Sequence, residues 1–157
     1  MKKIFFLLIF TASFCFVQAQ NYSDAVGVRL GNGGETAIGN AISFKHFFNN
    51  KASAKVLFDY SDNLALGLLL EINKPIKNAA NLSWFYGAGA YLGFNDLKSL
   101  DNRKLLGAQG SVGLDYKFAN APINIELDCK PELNIVDEIN LELFNFGLSL
   151  RYAFGRK

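Results

Sequence analysis

The sequence has little of what a compact active site draws on. It holds one histidine, His46, and no metal-ligand cluster of Cys, His, Asp and Glu. Two cysteines cannot staple a small scaffold. Three prolines beside 14 glycines, with 19% charged residues, do not describe a disordered chain. A formal net charge of +2, without clustered Lys or Arg, argues against a dedicated nucleic-acid binder. No apolar run reaches the roughly 18 residues that a spanning helix needs. What is present is a chain of 157 residues, 50% of them hydrophobic, a length that suits one domain.

The N-terminus reads as an address. Lys2 and Lys3 precede an apolar run from Ile4 to Val17, which ends in Val17-Gln18-Ala19, a small-residue cleavage pattern. The run is too short for a membrane anchor and has the form of a secretory signal peptide. Cys15 follows Phe14, where a lipoprotein signal wants a small residue. Cleavage is expected after Ala19, giving a signal peptide over 1–19 and a barrel domain over 20–157. The mature chain of 138 residues loses two lysines and no acid, so its 14 basic residues equal its 14 acidic ones. It keeps one cysteine, Cys129, and no intramolecular disulfide is possible.

The rest of the chain alternates with period two, the signature of strands. From Ile123 to Leu133 one parity reads Ile123, Ile125, Leu127, Cys129, Pro131, Leu133, and the other Asn124, Glu126, Asp128, Lys130, Glu132. Successive side chains of a strand point to opposite faces, so one face is apolar and the other charged. Leu106–Phe118 and Phe144–Phe154 repeat the pattern, as do segments around Val26–Leu30, Val56–Tyr60, Leu64–Ile72 and Trp84–Phe94. A less regular segment places Ile38, Ile42 and Phe44 on one face, interrupted by Asn40, where a bulge is expected. The count is eight strands, which suits an up-and-down antiparallel barrel. Turns over 48–51, 74–81 and 119–122 fall at one end. Connections over 31–35, 61–63, 95–105 and 135–140 fall at the other.

Two opposite barrels fit this alternation. A soluble, secreted lipocalin-like binder points its apolar face inward, and an outer-membrane barrel points it outward. Strands of about ten residues match a tilted membrane crossing. Aromatics crowd the ends of the apolar faces as an interfacial girdle does: Tyr60, Trp84, Tyr86, Phe94, Tyr116, Phe118, Tyr152 and Phe154. The polar face carries six cations, Arg29, Lys45, Lys55, Lys117, Lys130 and Arg151. It carries six anions, Asp59, Glu71, Asp115, Glu126, Asp128 and Glu132. Equal numbers are what a closed interior requires, because buried charge must be paired. The all-β fold expected is therefore an eight-stranded transmembrane barrel with a polar, salt-bridged interior, plugged by side chains. Pro131, which has no N–H to donate, is expected at a bulge or where its strand leaves the ladder, and Glu142, sharing the parity of Phe144, above the hydrocarbon.

Gly107–Phe118, Pro122–Asn134 with Asp128-Cys129-Lys130-Pro131, Trp84-Phe85-Tyr86-Gly87-Ala88-Gly89-Ala90 and the ending Gly147–Phe154 resemble small outer-membrane β-barrels of Gram-negative bacteria, of the OmpX/OmpA-transmembrane type. The resemblance spans the mature chain and specifies architecture better than activity. It implies outer-membrane localisation, contact with lipid and lipopolysaccharide, a monomer, and a C-terminal strand read by the barrel-assembly machinery. Gly155-Arg156-Lys157 follow Phe154, so the strictest C-terminal-aromatic form is not met.

Catalytic signals are weak. Ser43 and His46 differ in parity and point to opposite faces, which counts against a Ser–His lipid hydrolase. Asp59 and Glu71 sit among Lys55 and Arg29 and read as ion-pair partners. Gly31-Asn32-Gly33-Gly34 has no following Lys-Ser/Thr and is a turn. Cys129 is expected to face lipid, which suits no thiolate. The loop over 95–105 carries Asp96, Lys98, Asp101, Arg103 and Lys104, candidates for surface contact, including lipopolysaccharide phosphates. A non-enzymatic structural or surface-interaction role without cofactor or metal is the first expectation. A lipid-modifying enzyme and a narrow pore are the alternatives within the membrane.

Overall fold

The computed structural model describes residues 22–32, 38–59, 61, 63–95, 104–136 and 139–155. Residues 1–19, expected as a signal peptide, Tyr60 and the surface-contact candidates Asp96, Lys98, Asp101 and Arg103 lie outside the described residues. Ten strand segments follow one another: β1 (Asp24–Gly31), β2 (Ala41–Phe47), β3 (Ala52–Asp59), β4 (Asn63–Pro75), β5 (Leu82–Asn95), β6 (Lys104–Lys117), β7 (Ile123–Cys129), β8 (Glu132–Asn134), β9 (Asn140–Glu142) and β10 (Phe146–Phe154). All pairings are antiparallel. β7 with β8, and β9 with β10, each make one stave, so the ten segments form eight. β1 pairs with β10 and β5 with β6, which closes the ring. Closure pairs the body of the sheet on both sides, and among the described residues the short β9 is bonded to β8 alone.

Local chemistry sets the short turns. Asn49 Oδ1 accepts from the N–H groups of Lys51 (2.8 Å) and Ala52 (2.9 Å), turning β2 into β3. Between β4 and β5 the chain needs left-handed backbone twice and places asparagine there, at Asn78 (φ 67°) and Asn81 (φ 63°). These turns and that between β6 and β7 define the short-turn end of the barrel. The opposite end is the loop end.

The alternation is realised as an inversion of the usual globular pattern. Outward side chains include Val28, Leu30, Leu66, Leu68, Leu70, Leu92, Leu127 and Leu150, all exposed. Inward ones include Arg29, Lys45, Lys55, Lys130 and Glu126, each with no accessible surface. Two phase changes depart from the simple pattern. Ile38 is buried inside rather than sharing a face with Ile42, because Gly39 and Asn40 bend the chain before β2 begins. Asn40, as its polarity requires, faces out and accepts from the Gly31 N–H at 3.2 Å. The second change separates Glu142 from the parity of Phe144. Cys129 pairs with Phe146 but Glu132 with Glu142, so three residues, Leu143 to Asn145, oppose two. This bulge turns Leu141, Leu143 and Phe144 outward and half-buries Glu142.

Pro131 lies opposite that bulge. Gly110 N–H donates to Pro131 O at 2.8 Å, while the return bond has no donor. Strand pairing on the β6 side keeps its register through the proline.

Two inward aromatics are accommodated by glycine. Phe85 is paired in register with Gly113 and Tyr91 with Gly107. A methyl group added at Gly113 would lie 2.8 Å from Phe85 Cζ, and one at Gly107 2.5 Å from the Tyr91 hydroxyl. The rings therefore occupy space that the glycines leave empty across the strand.

Candidate functional site

The interior holds an apolar cluster and two ionic stations. Toward the loop end a small apolar cluster of Ile38, Ala41, Leu57, Ala65, Leu69 and Tyr91 fills the lumen. Toward the short-turn end the filling is ionic, and its geometry resolves a conflict in the ladder. Lys45 and Lys55 are direct cross-strand partners, and so are Asp115 and Glu126. Like charges opposite one another destabilise a sheet. Here the two rungs neutralise each other across the lumen. Glu126 accepts from Lys45 Nζ (2.9 Å), Lys55 Nζ (2.8 Å) and Arg151 Nη1 and Nη2 (2.9 and 3.1 Å). Asp115 accepts from Lys45 at 3.0 Å. Glu71 lies 3.0 Å from Lys45 and 2.6 Å from Lys55, as ion pairs without hydrogen-bond alignment. The cluster of Lys45, Lys55, Arg151, Glu71, Asp115 and Glu126 is thus electroneutral.

Neutral groups complete it. Arg151 Nε donates to Ser43 Oγ at 2.8 Å and Nη1 to Asn124 Oδ1 at 3.2 Å. Asn124 also donates to Asp115 at 2.6 Å. The Phe85 ring closes one side, 4.6 Å from Lys45 Nζ and 4.9 Å from Lys55 Nζ. Neither Phe85 nor the asparagines were separable by sequence from ordinary inward residues, since only closure brings them to the charges.

A second station lies nearer the loop end. The Arg29 guanidinium donates to Asp128, with Nη2 to Oδ1 at 2.7 Å and Nε to Oδ2 at 3.0 Å. It also donates to Gly39 O at 2.9 Å and Asn145 Oδ1 at 3.2 Å. Gly147 leaves the space for it, since an added methyl would meet Arg29 Cζ at 2.3 Å. Lys130 pairs with Glu132 and donates to Ile38 O at 3.1 Å. Ten of the twelve charges expected inside belong to these stations. Asp59 is buried but spends its oxygens on the N–H groups of Gly39 and Ser61 and on Ser61 Oγ. Lys117 is half-buried at the short-turn mouth, its Nζ 4.6 Å from the centre of the Tyr22 ring.

That mouth holds a part-open cavity of about 330 Å³, walled by Tyr22, Phe47, Asn73, Ser83, Asp115 and Lys117. Burial, with Asp115 nearby, raises the Tyr22 phenol above its ordinary pKa. Tyr22 precedes the first strand, so no strand periodicity points to it.

On the outside, Trp84, Tyr86, Tyr116, Phe118, Tyr152 and Phe154 are exposed at the short-turn end and Phe94 at the loop end. Cys129 is half-buried, its Sγ 3.7 Å from Leu143 O. Lys104 is exposed at the start of β6. Ser43 is sealed in the lumen while His46 stands on the outer side, its Nδ1 2.7 Å from Asp24 Oδ1. Asp24 is also bonded by Ser23 Oγ. Among the described residues, no group of three or more His, Cys, Asp or Glu is arranged to hold a metal ion. No protein-family model matches the chain, and no curated protein matches it.

Proposed function

We propose that this chain is an integral outer-membrane β-barrel protein of a Gram-negative bacterium, delivered by a cleaved signal peptide. Its role in this reading is structural or surface-interacting, without catalysis or cofactor. One observation carries the reading: the barrel is inside out. Leu70, Leu30, Tyr152 and Leu92 are each more than half exposed, while five lysines and arginines are sealed inside. In water that arrangement forgoes hydrophobic burial and adds the cost of desolvating charge. In a bilayer the outer face meets its solvent. A secreted lipocalin-like binder would need the opposite orientation.

The filled lumen supports a plug rather than a pore. The protein is taken to be a monomer in contact with outer-membrane lipid and lipopolysaccharide. Its last strand is taken to be read by the barrel-assembly machinery. The test is envelope fractionation followed by electrophoresis with and without boiling. An outer-membrane barrel requires detergent and migrates differently before and after heating. Recovery as a soluble periplasmic monomer refutes the reading.

A second reading, a lipid-modifying enzyme, has one observation in its favour: Asp24 orients His46 on the outer side. Against it, Ser43 lies in the lumen, where its Oγ accepts from Arg151 Nε, and Ser23 Oγ bonds to Asp24 rather than to His46. A lipid-hydrolysis assay that His46→Ala abolishes would establish this second reading.

A further inference from the structure

We propose that the outer surface at the short-turn end carries a binding site for the headgroup of an anionic phospholipid, centred on Lys74 and Lys77 beside Trp84 and Tyr86. The inference rests on the membrane reading and names the lipid class that this surface selects.

Lys74 faces outward near the end of β4 and is exposed. It is paired in register with Trp84, and Ile72 with Tyr86. The Trp84 and Tyr86 rings stack at 5.4 Å with 30° between their planes. Lys74 Nζ lies 5.2 Å from the centre of the first and 5.3 Å from the second. The ammonium is thus held over an aromatic floor by attraction to both rings. Lys77 follows in the β4–β5 turn, exposed. Lys51 belongs to the neighbouring β2–β3 turn, where its carbonyl accepts from Asn73 N–H of β4 at 2.6 Å, and it too is exposed. Three exposed cations therefore lie on two adjacent turns of one rim, with Lys74 on its outer face.

The field they make is not cancelled locally. Among the described residues, Asp24 is the one carboxylate on the outer surface at this end, and Ser23 and His46 engage it. The buried acids at this end, Glu71, Asp115 and Glu126, are matched inside by Lys45, Lys55 and Arg151. Above the lysines run exposed Leu70, Ile72 and Leu68, the apolar track that an acyl chain needs. An occupant must be anionic at Lys74 and apolar along β4, which describes a phospholipid with a net negative headgroup. A free phosphate would leave the track unused. Each lysine near an anionic lipid surface is worth about a fivefold enrichment. A zwitterionic lipid gains much less from the same charges.

Trp84 is the only tryptophan in the chain and reports on its own site. The full mature protein is refolded into phosphatidylcholine vesicles. These contain the same minor fraction of lipid brominated on its acyl chains, either phosphatidylglycerol or phosphatidylcholine. Bromine quenches only tryptophan that it touches. Brominated phosphatidylglycerol is expected to quench Trp84 several-fold more strongly. Lys74→Gln with Lys77→Gln is expected to remove that difference and to leave quenching by brominated phosphatidylcholine unchanged. Equal quenching of the parent protein by the two lipids overturns the site and leaves the membrane reading intact. Quenching by neither overturns both.

Discussion

Replacing Glu126 by glutamine changes the buried cluster by one charge and almost no volume. Lys45 keeps Glu71 and Asp115, and Lys55 keeps Glu71. Arg151 fares worst. Among the described contacts its ion pair is with Glu126, and it is left with Ser43 and Asn124. The cluster then holds three cations against two anions, of which only Asp115, at the wall of the mouth cavity, keeps any exposure. Breaking a buried pair from one side costs about 3–5 kcal/mol. With a urea slope of roughly 2 kcal/mol per molar, the unfolding midpoint should fall by about 2 M. Trp84 fluorescence in lipid vesicles follows the transition. The decisive variant is Glu126→Gln with Arg151→Met, which restores two cations to two anions. It should recover more than half of the loss, a coupling of at least about 2 kcal/mol. If the single variant loses less than about 0.5 kcal/mol, the range of an ordinary surface change, the reasoning is wrong. The same holds if the double variant is worse than the single one. Either result would mean that water reaches the cluster and screens it.

Three further outcomes follow from the same geometry. Leu127, exposed on the outer face between Leu114 and Leu148 in register, should lose about 2–4 kcal/mol as Leu127→Arg if it sits near the bilayer midplane. Urea titration in vesicles measures this, with Leu127→Phe tolerated as the control. Gly147→Ala forces a methyl against Arg29, which Asp128 and Asn145 hold in place, and should cost about 1–3 kcal/mol by the same assay. In planar bilayers the parent protein should give no steady channels, because the apolar cluster with Tyr91 and Leu57 and the two ionic stations fill the lumen; reproducible conductance would contradict that packing.

Much of the architecture was legible because a strand writes its two faces into alternate residues. Glu126 and Asp128 beside Leu127, or Arg151 between Leu150 and Tyr152, disclose an inward and an outward side without any coordinates. The partners could not be read the same way. Arg29 meets Asp128 from 99 positions away, a distance set by strand tilt and closure and written in no local pattern. Asp59 and Lys117 share the inward parity with the other ten charges but stand at opposite mouths, and parity says nothing of height. Ile38 and Glu142 lie inward where parity puts them outward: Gly39 and Asn40 bend the chain between Ile38 and β2, and a bulge separates Glu142 from β10. A bulge adds a residue without changing composition, and every position beyond it is displaced to the other side.

The opposed like-charge rungs have a consequence for how the barrel is built. The β1–β2 hairpin carries Arg29 and Lys45 inward with no acid of its own. The β3–β4 hairpin brings Lys55 with Asp59 and Glu71, one negative charge in excess. β5–β6 is balanced by Asp115 and Lys117, and the final hairpin is again one negative charge in excess. No hairpin except β5–β6 is neutral alone, and no pair of adjacent hairpins taken from the N-terminus is neutral either. Glu142 at the loop mouth aside, the ledger reaches zero only when the last staves join the first. Three of the four hairpins thus carry an unbalanced inward charge, and it is their meeting in the closed ring that sets Lys45, Lys55 and Arg151 against Glu71, Asp115 and Glu126.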